Sequence, residues 1–222
     1  MLLISGRYCG CVRALVFGSS IAEGYWATQG GWVQRLVNDV ARYHVAKNQG
    51  ATDGDWVMNV GIGGDTVRRV IDRFPAEARA RLGMRPDELA VVFAVGANDS
   101  MRIAGRELST PQRFREDLAE LHRLARELTD RILFVGFTAM DPDGEATRRF
   151  FDPARVRDFQ EVLARFAVDS GSEFVDVMAE FQALVDAGHR LLVDGVHPND
   201  AGHEVIYRQV KPVLARWLTT LA

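Results

Sequence analysis

At 222 residues the chain is long enough to bury one good hydrophobic core, and residues 1–222 are read as one domain. Its composition, 47% hydrophobic and 26% charged, is that of an ordinary globular protein, with no apolar run able to span a bilayer. A net charge of −3 offers no global field to recruit nucleic acid or an anionic membrane, so neither nucleic acid nor membrane insertion is expected.

Residues 1–12 read as an extension ahead of the first strand. They lack a basic stretch followed by an apolar run and a small-residue cleavage site, so the cytoplasm is the expected compartment. Cys9 and Cys11 both fall here. One intervening residue makes a mutual disulfide awkward, and no nearby Cys or His pair completes a zinc site.

Residues 13–17 are a short apolar run ended by Gly18, as in a buried parallel strand. Gly30 and Gly31 precede a helical pattern that aligns Trp32, Leu36, Val37, Val40 and Ala41 on one face. A turn at residues 50–54 leads to a second strand, residues 56–60, stopped by Gly61. A helix over residues 67–82 follows. Its Arg68, Arg69, Arg73, Arg79 and Arg81, with Arg85 beyond, are interleaved with acids and read as a solvated face. The third strand, residues 89–95, is the most apolar and is expected at the sheet centre.

Thr110-Pro111 is a cap followed by a first-turn proline, opening a helix through Leu118, Leu121, Leu124 and Leu128. Residues 132–137 form the fourth strand. Asp152-Pro153 opens another helix, which Gly171 ends, and residues 174–177 form the fifth strand. The last helix spans residues 200–221, with Pro212 kinking or splitting it. Strands alternating with helices define an α/β fold. The expected form is a three-layer, flavodoxin-like sandwich, a central five-stranded parallel sheet with helices on both faces. In such sheets ligands bind beyond the carboxyl ends of the strands.

Four segments at those ends carry chemistry. After the first strand, Gly18-Ser19-Ser20-Ile21-Ala22-Glu23-Gly24 offers serines beside glycine, as a nucleophile or as a turn and helix cap. After the second, Gly61-Ile62-Gly63-Gly64-Asp65-Thr66 admits two readings. A Gly-rich turn cradles a pyrophosphate, although Thr66 stands where the third glycine of that fingerprint belongs. Alternatively the bare N–H of Gly64 faces a developing oxyanion. After the third strand, Asn98 sits in Gly96-Ala97-Asn98-Asp99-Ser100, where its amide can donate into the same space. It also matches a glycosylation pattern, which a sheet-centre position and the absence of a leader argue against. Finally, Asp194 and His197 lie three residues apart in Val193-Asp194-Gly195-Val196-His197-Pro198-Asn199. One tight turn can present both, an acid that fixes the tautomer of a catalytic base and stabilises its cation.

Taken together these segments resemble the GDSL, or SGNH, hydrolase family, named for Ser, Gly, Asn and His in four blocks, here in order between residues 13 and 207. The resemblance implies Ser20 as nucleophile, Asp194 and His197 as the rest of the triad, and Ser20, Gly64 and Asn98 as oxyanion donors. Gly24 sets the register of the first block. One position departs: the family reads Gly-Asp-Ser where this chain reads Gly18-Ser19-Ser20. Ser19 is therefore expected at most to hydrogen-bond nearby backbone.

The implied activity is ester hydrolysis through an acyl-enzyme, with no metal and no cofactor, on a small-molecule ester. Tyr25 and Trp26 and the segments 101–109 and 141–151 should line the mouth. Their Arg102, Arg106, Arg148, Arg149, Asp143 and Glu145 suggest a polar, open entrance, suited to short-acyl esters. The acidic turn at Asp141-Pro142-Asp143-Gly144 lacks the further ligands of a calcium loop. Two other readings stand beside this one: a non-catalytic flavodoxin-like binding module, and an acyltransferase using the same triad. The oligomeric state carries no signal in the sequence.

Overall fold

The computed structural model describes residues 11–47, 54–82 and 88–222. Cys9, Arg85, residues 50–53 of the expected turn and nearly all of the expected extension lie outside these residues.

In chain order the elements are β1 (Val12–Gly18), α1 (Ser20–Glu23), α2 (Trp32–Lys47), β2 (Trp56–Asn59), α3 (Val67–Arg81) and β3 (Glu88–Ala94). A 3-10 turn (Ala97–Ser100) leads to a small hairpin, β4 (Arg102–Ile103) with β5 (Arg106–Glu107). Then come α4 (Pro111–Arg126), β6 (Ile132–Val135), α5 (Glu145–Phe150), α6 (Pro153–Ser170), β7 (Glu173–Val175), α7 (Val177–Asp186) and α8 (Asp200–Leu214).

The five long-range strands pair in the order β2-β1-β3-β6-β7, all parallel. This is the doubly wound, flavodoxin-like arrangement, and its winding across the sheet changes sense between β1 and β3. Alternate side chains divide between two cores. Leu15, Phe17, Val91, Phe93 and Phe134 pack with residues of α3, α4 and α6. Ala14, Val16, Ala90, Val92, Leu133 and Val135 pack with α2, α7 and α8. Burial on both faces explains why the strands read as continuous apolar runs, each buried side chain contributing about 1.5–3 kcal/mol. β3 is central, as its composition predicts.

Local chemistry sets the helix ends. The Thr110 hydroxyl accepts from the Arg113 N–H and Asp152 accepts from the Ala154 N–H, each with proline at the first turn. Gly171 closes α6 in the left-handed conformation. No helix among the described residues is long and apolar enough to cross a membrane.

Several expectations are corrected. On α2 the buried face is Trp32, Val33, Leu36 and Val40, while Ala41 is exposed and Val37 half-buried. The arginines of α3 are not simply solvated. Arg68 pairs with Asp117 and Glu120 of α4, and Arg73, largely buried, donates to Asp65 and to the Val60 carbonyl. The fourth and fifth strands stop at Val135 and Val175. Asp176 turns the chain instead, capping α7 through the Met178 N–H, a helix the strand reading did not include. The last helix passes Pro212 but ends at Leu214, and a separate 3-10 turn covers Thr219–Leu221. Segments expected as loops hold the β4–β5 hairpin and α5.

Candidate active site

The site lies beyond the carboxyl ends of β1 and β3, on either side of the point where the winding changes sense. Ser20 is the first residue of the one-turn helix α1, and its carbonyl accepts from the Gly24 and Tyr25 N–H groups, which folds the turn tightly. Its hydroxyl lies 2.9 Å from His197 Nε2. On the far side of the ring, His197 Nδ1 stands 2.7 Å from Asp194 Oδ2. A carboxylate only accepts, so Nδ1 carries the proton and Nε2 is left to accept from Ser20. The other oxygen, Asp194 Oδ1, accepts from the Val196 and His197 backbone N–H groups at 3.0 and 2.9 Å. Partial burial pushes the Asp194 carboxyl up, but the His197 and Val196 hydrogen bonds outweigh it and hold the group below the usual carboxylate range.

The Asp-His turn is held from outside. Val193 N–H donates to the His197 carbonyl, and Leu192 and Pro198 pair as an antiparallel bridge. The start of α5 then grips it: Ala146 N–H donates to the Asp194 carbonyl, while Asp141 N–H and the Thr147 hydroxyl donate to the Gly195 carbonyl. The approach needs glycine on both sides. Gly195 has φ 95°, and a Cβ there would lie 2.6 Å from the Gly144 Cα. The acidic turn at Asp141 thus serves as a support: its carboxylate accepts from the Asp143 N–H, and its backbone docks the Asp-His turn.

The segments expected to supply oxyanion donors follow the next two strand ends. Beyond Asn59 the β1 ladder continues, Val60 N–H donating to Val16 O and Ile62 N–H to Gly18 O, which carries the glycine turn alongside Ser19 and Ser20. Gly64 has φ 81°, and a Cβ there would meet nothing within 4 Å, so it borders open space. Among the described residues neither the Gly64 nor the Ser20 N–H is engaged by a protein acceptor. Asn98 Nδ2 donates one hydrogen to the Asp65 carbonyl at 3.0 Å, and the second remains for a ligand. Cβ positions at Gly61 and Gly63 would strike the Glu23 N and Tyr25 Oη atoms, so this turn is packed against the Ser20 turn rather than shaped around a pyrophosphate.

Asp99, 2% exposed, bonds the Val67 N–H through its carboxylate and so ties the Asn98 turn to the start of α3. Burial raises it to about 7; the Val67 N–H lowers it and the neighbouring charge of Asp117 adds to the rise.

The two adjacent serines part company. The Ser19 hydroxyl makes no hydrogen bond among the described residues, and its side chain lines a cavity of about 40 Å³ with Trp32, Ile206 and Thr138, whose hydroxyl is likewise unpartnered. The structure thus brings Ser20, Asp194 and His197 into one chain of contacts, sets Gly64 and Asn98 at the neighbouring strand ends, and turns Ser19 away.

His203 and Asp200, which pattern reading did not single out, join Tyr25 and Trp26 at the site. His203, fully buried on α8, accepts from the Trp32 N–H at Nδ1 and donates from Nε2 to the Tyr25 carbonyl. Burial lowers its pKa. Asp200 receives the Thr28 and Gln29 N–H groups, both at 2.9 Å. The Tyr25 ring lies 5.7 Å from that of His197, and Trp26 Nε1 lies 3.3 Å from Asp194 Oδ2. The only local signal for Asp200 and His203 is their nearness to the Asp-His turn. The segments beyond the strand ends are also less polar than their charges suggest: Tyr25, Trp26, Ile62, Ile103 and Leu108 are exposed there.

A doubly wound parallel sandwich with serine, histidine and aspartate in hydrogen-bonded sequence beyond its strand ends has the architecture of a serine hydrolase. Residues 16–205 match the sequence profile of the GDSL-like Lipase/Acylhydrolase family, and the chain belongs to that family. A GDSL lipase of Mycobacterium tuberculosis is 28% identical over 132 residues, 60% of this chain and 52% of the relative, so the match spans about half that protein's length. Among solved structures, a lipolytic protein of the G-D-S-L family from Veillonella parvula shares the fold (TM-score 0.70, 20% identity, 93% of this chain and 100% of that one). So do an acetylxylan esterase from Geobacillus stearothermophilus (TM-score 0.70, 21% identity, 93% and 96%) and a lipase/acylhydrolase from Enterococcus faecalis (TM-score 0.69, 23% identity, 93% and 96%).

Proposed function

We propose that this member of the family is a serine ester hydrolase acting on small, short-acyl esters through an acyl-enzyme. The observation that carries the reading is the continuous contact from Ser20 Oγ to His197 Nε2, and from Nδ1 to Asp194 Oδ2, at 2.9 and 2.7 Å. As the ester enters, His197 Nε2 takes the Ser20 proton and Oγ attacks the acyl carbon. The Ser20 and Gly64 N–H groups and the Asn98 amide receive the oxyanion. Asp194 stabilises the imidazolium, which then protonates the departing alcohol. Water, deprotonated by the same Nε2, attacks the acyl-enzyme; collapse returns the proton to Ser20 and releases the acid.

Short acyl groups are favoured because the donors border open space and no long apolar segment of the described residues covers them. The acetylxylan esterase sharing the fold is consistent with an acetyl-sized substrate. The test is a panel of esters from acetyl to dodecanoyl with different alcohols, read together with phosphonate labelling and peptide mass spectrometry. Turnover is expected to be highest for the shortest acyl groups, with the adduct on Ser20. Ser20→Ala should lose hydrolysis and labelling, while Ser19→Ala keeps both. An adduct on Ser19, or undiminished turnover by Ser20→Ala, would sink the assignment.

A further inference from the structure

Trp26 is an outlier twice over. Its backbone has φ 64°, the left-handed region that bulky residues rarely occupy, and the residue is 57% exposed. Backbone outliers of this kind cluster where function constrains the chain. Its one polar contact among the described residues reaches into the site. The indole N–H donates to Asp194 Oδ2 at 3.3 Å, the same oxygen that receives His197 Nδ1–H. A carboxylate offers about four acceptor positions. At Asp194 three are filled from within its own turn, by Val196 N–H, His197 N–H and His197 Nδ1–H, and the fourth by Trp26, from the nucleophile turn.

We infer that Trp26 is a positioning residue of the triad, a donor that fixes the plane of the Asp194 carboxylate and shares its charge; this rests on the hydrolase reading above. Its own placement is built in. The preceding Tyr25 carbonyl receives His203 Nε2–H, and the Thr28 and Gln29 N–H groups that follow are held by Asp200. Two consequences follow from the chemistry. With the indole N–H present, Oδ2 cannot swing away from Nδ1 as the imidazole charges and discharges, so each proton transfer begins from an aligned ring. With it absent, the carboxylate's charge acts undivided on the imidazolium, which becomes the harder to deprotonate. His197 is faced by Asp194 from its own turn, by Tyr25 from the nucleophile turn and by His203 from α8. Replacing Trp26 removes none of these.

The test compares Trp26→Phe with a chain carrying benzothiophene in place of the Trp26 indole, which keeps the bicyclic shape and deletes only the N–H. In both, kcat on a soluble short-acyl ester should fall about 3- to 10-fold, the scale of an ordinary hydrogen bond because solvent weakens this charged one, with KM essentially unchanged. The acid limb of the kcat profile should move to higher pH in both. Unchanged kcat and an unmoved acid limb in both variants would overturn the proposal. So would loss in Trp26→Phe alone, which would make Trp26 a packing residue. The hydrolase reading is tested separately in the same preparations: a wild type that the phosphonate fails to label at Ser20 removes that reading and this one together, whereas a labelled wild type beside unaffected variants removes only the role of Trp26.

Discussion

Asp194 and Asp200 each precede a histidine by three residues, yet their carboxylates serve different ends. Asp194 turns onto the ring of His197. Asp200 turns away from His203 to hold the Thr28 and Gln29 backbone, and His203 is left buried between the Trp32 N–H and the Tyr25 carbonyl. The same division of labour separates Ser20, in contact with a base, from Ser19, beside a small cavity. At Asn98 the two amide hydrogens are placed differently. One is committed to the Asp65 carbonyl and the other is free for an oxyanion. Asn98→Ala is therefore expected to lower kcat on the order of 10²–10³ with little change in KM. If KM rises while kcat holds, the side chain binds substrate or supports the turn instead.

At the scale of elements, the site is a junction of helix starts and strand ends. α5 supports the Asp-His turn, and α3 is joined to the Asn98 turn by the Asp99 carboxylate on the Val67 N–H. That junction titrates. Asp99 is raised from an ordinary 3.8 to about 7. Between those values the folded chain keeps a proton that the unfolded chain has released, so its contribution to stability is full below about pH 4 and is lost as pH rises to about 7. Asp99→Asn removes the titration while keeping an acceptor for Val67. The difference in unfolding free energy between variant and wild type should grow in the variant's favour from pH 4 to pH 7.5, reaching on the order of 1–4 kcal/mol. Urea denaturation across that range measures it, and a difference that stays flat with pH would show that Asp99 is not protonated in the folded protein.

For the molecule as a whole, the two cores flanking one sheet set how rigidly these strand ends are presented. Phe93 of the central strand is fully buried, its ring 6.1 Å from Phe17, 5.6 Å from Phe74 and 5.4 Å from Phe134. Phe93→Ala should therefore cost about 3–5 kcal/mol, because closely packed rings around it cannot collapse into the space. A loss below about 1 kcal/mol by urea denaturation would mean that this layer repacks freely.

What the sequence by itself determined is whatever local pattern can carry. Apolar runs marked the five strands and placed the third at the centre. Thr110-Pro111, Asp152-Pro153 and Gly171 marked helix ends, and four short blocks in order marked the family. The family blocks pointed to Ser20, Asp194 and His197; the tertiary structure supplied their contacts, and it alone decided that Trp26 and α5 converge on Asp194. Ser20 and His197 are 177 positions apart, and their contact depends on the order of strands in the sheet. No window of residues encodes that order: spacing makes Asp194-His197 and Asp200-His203 identical, and only the packing of distant elements against each turn makes them different.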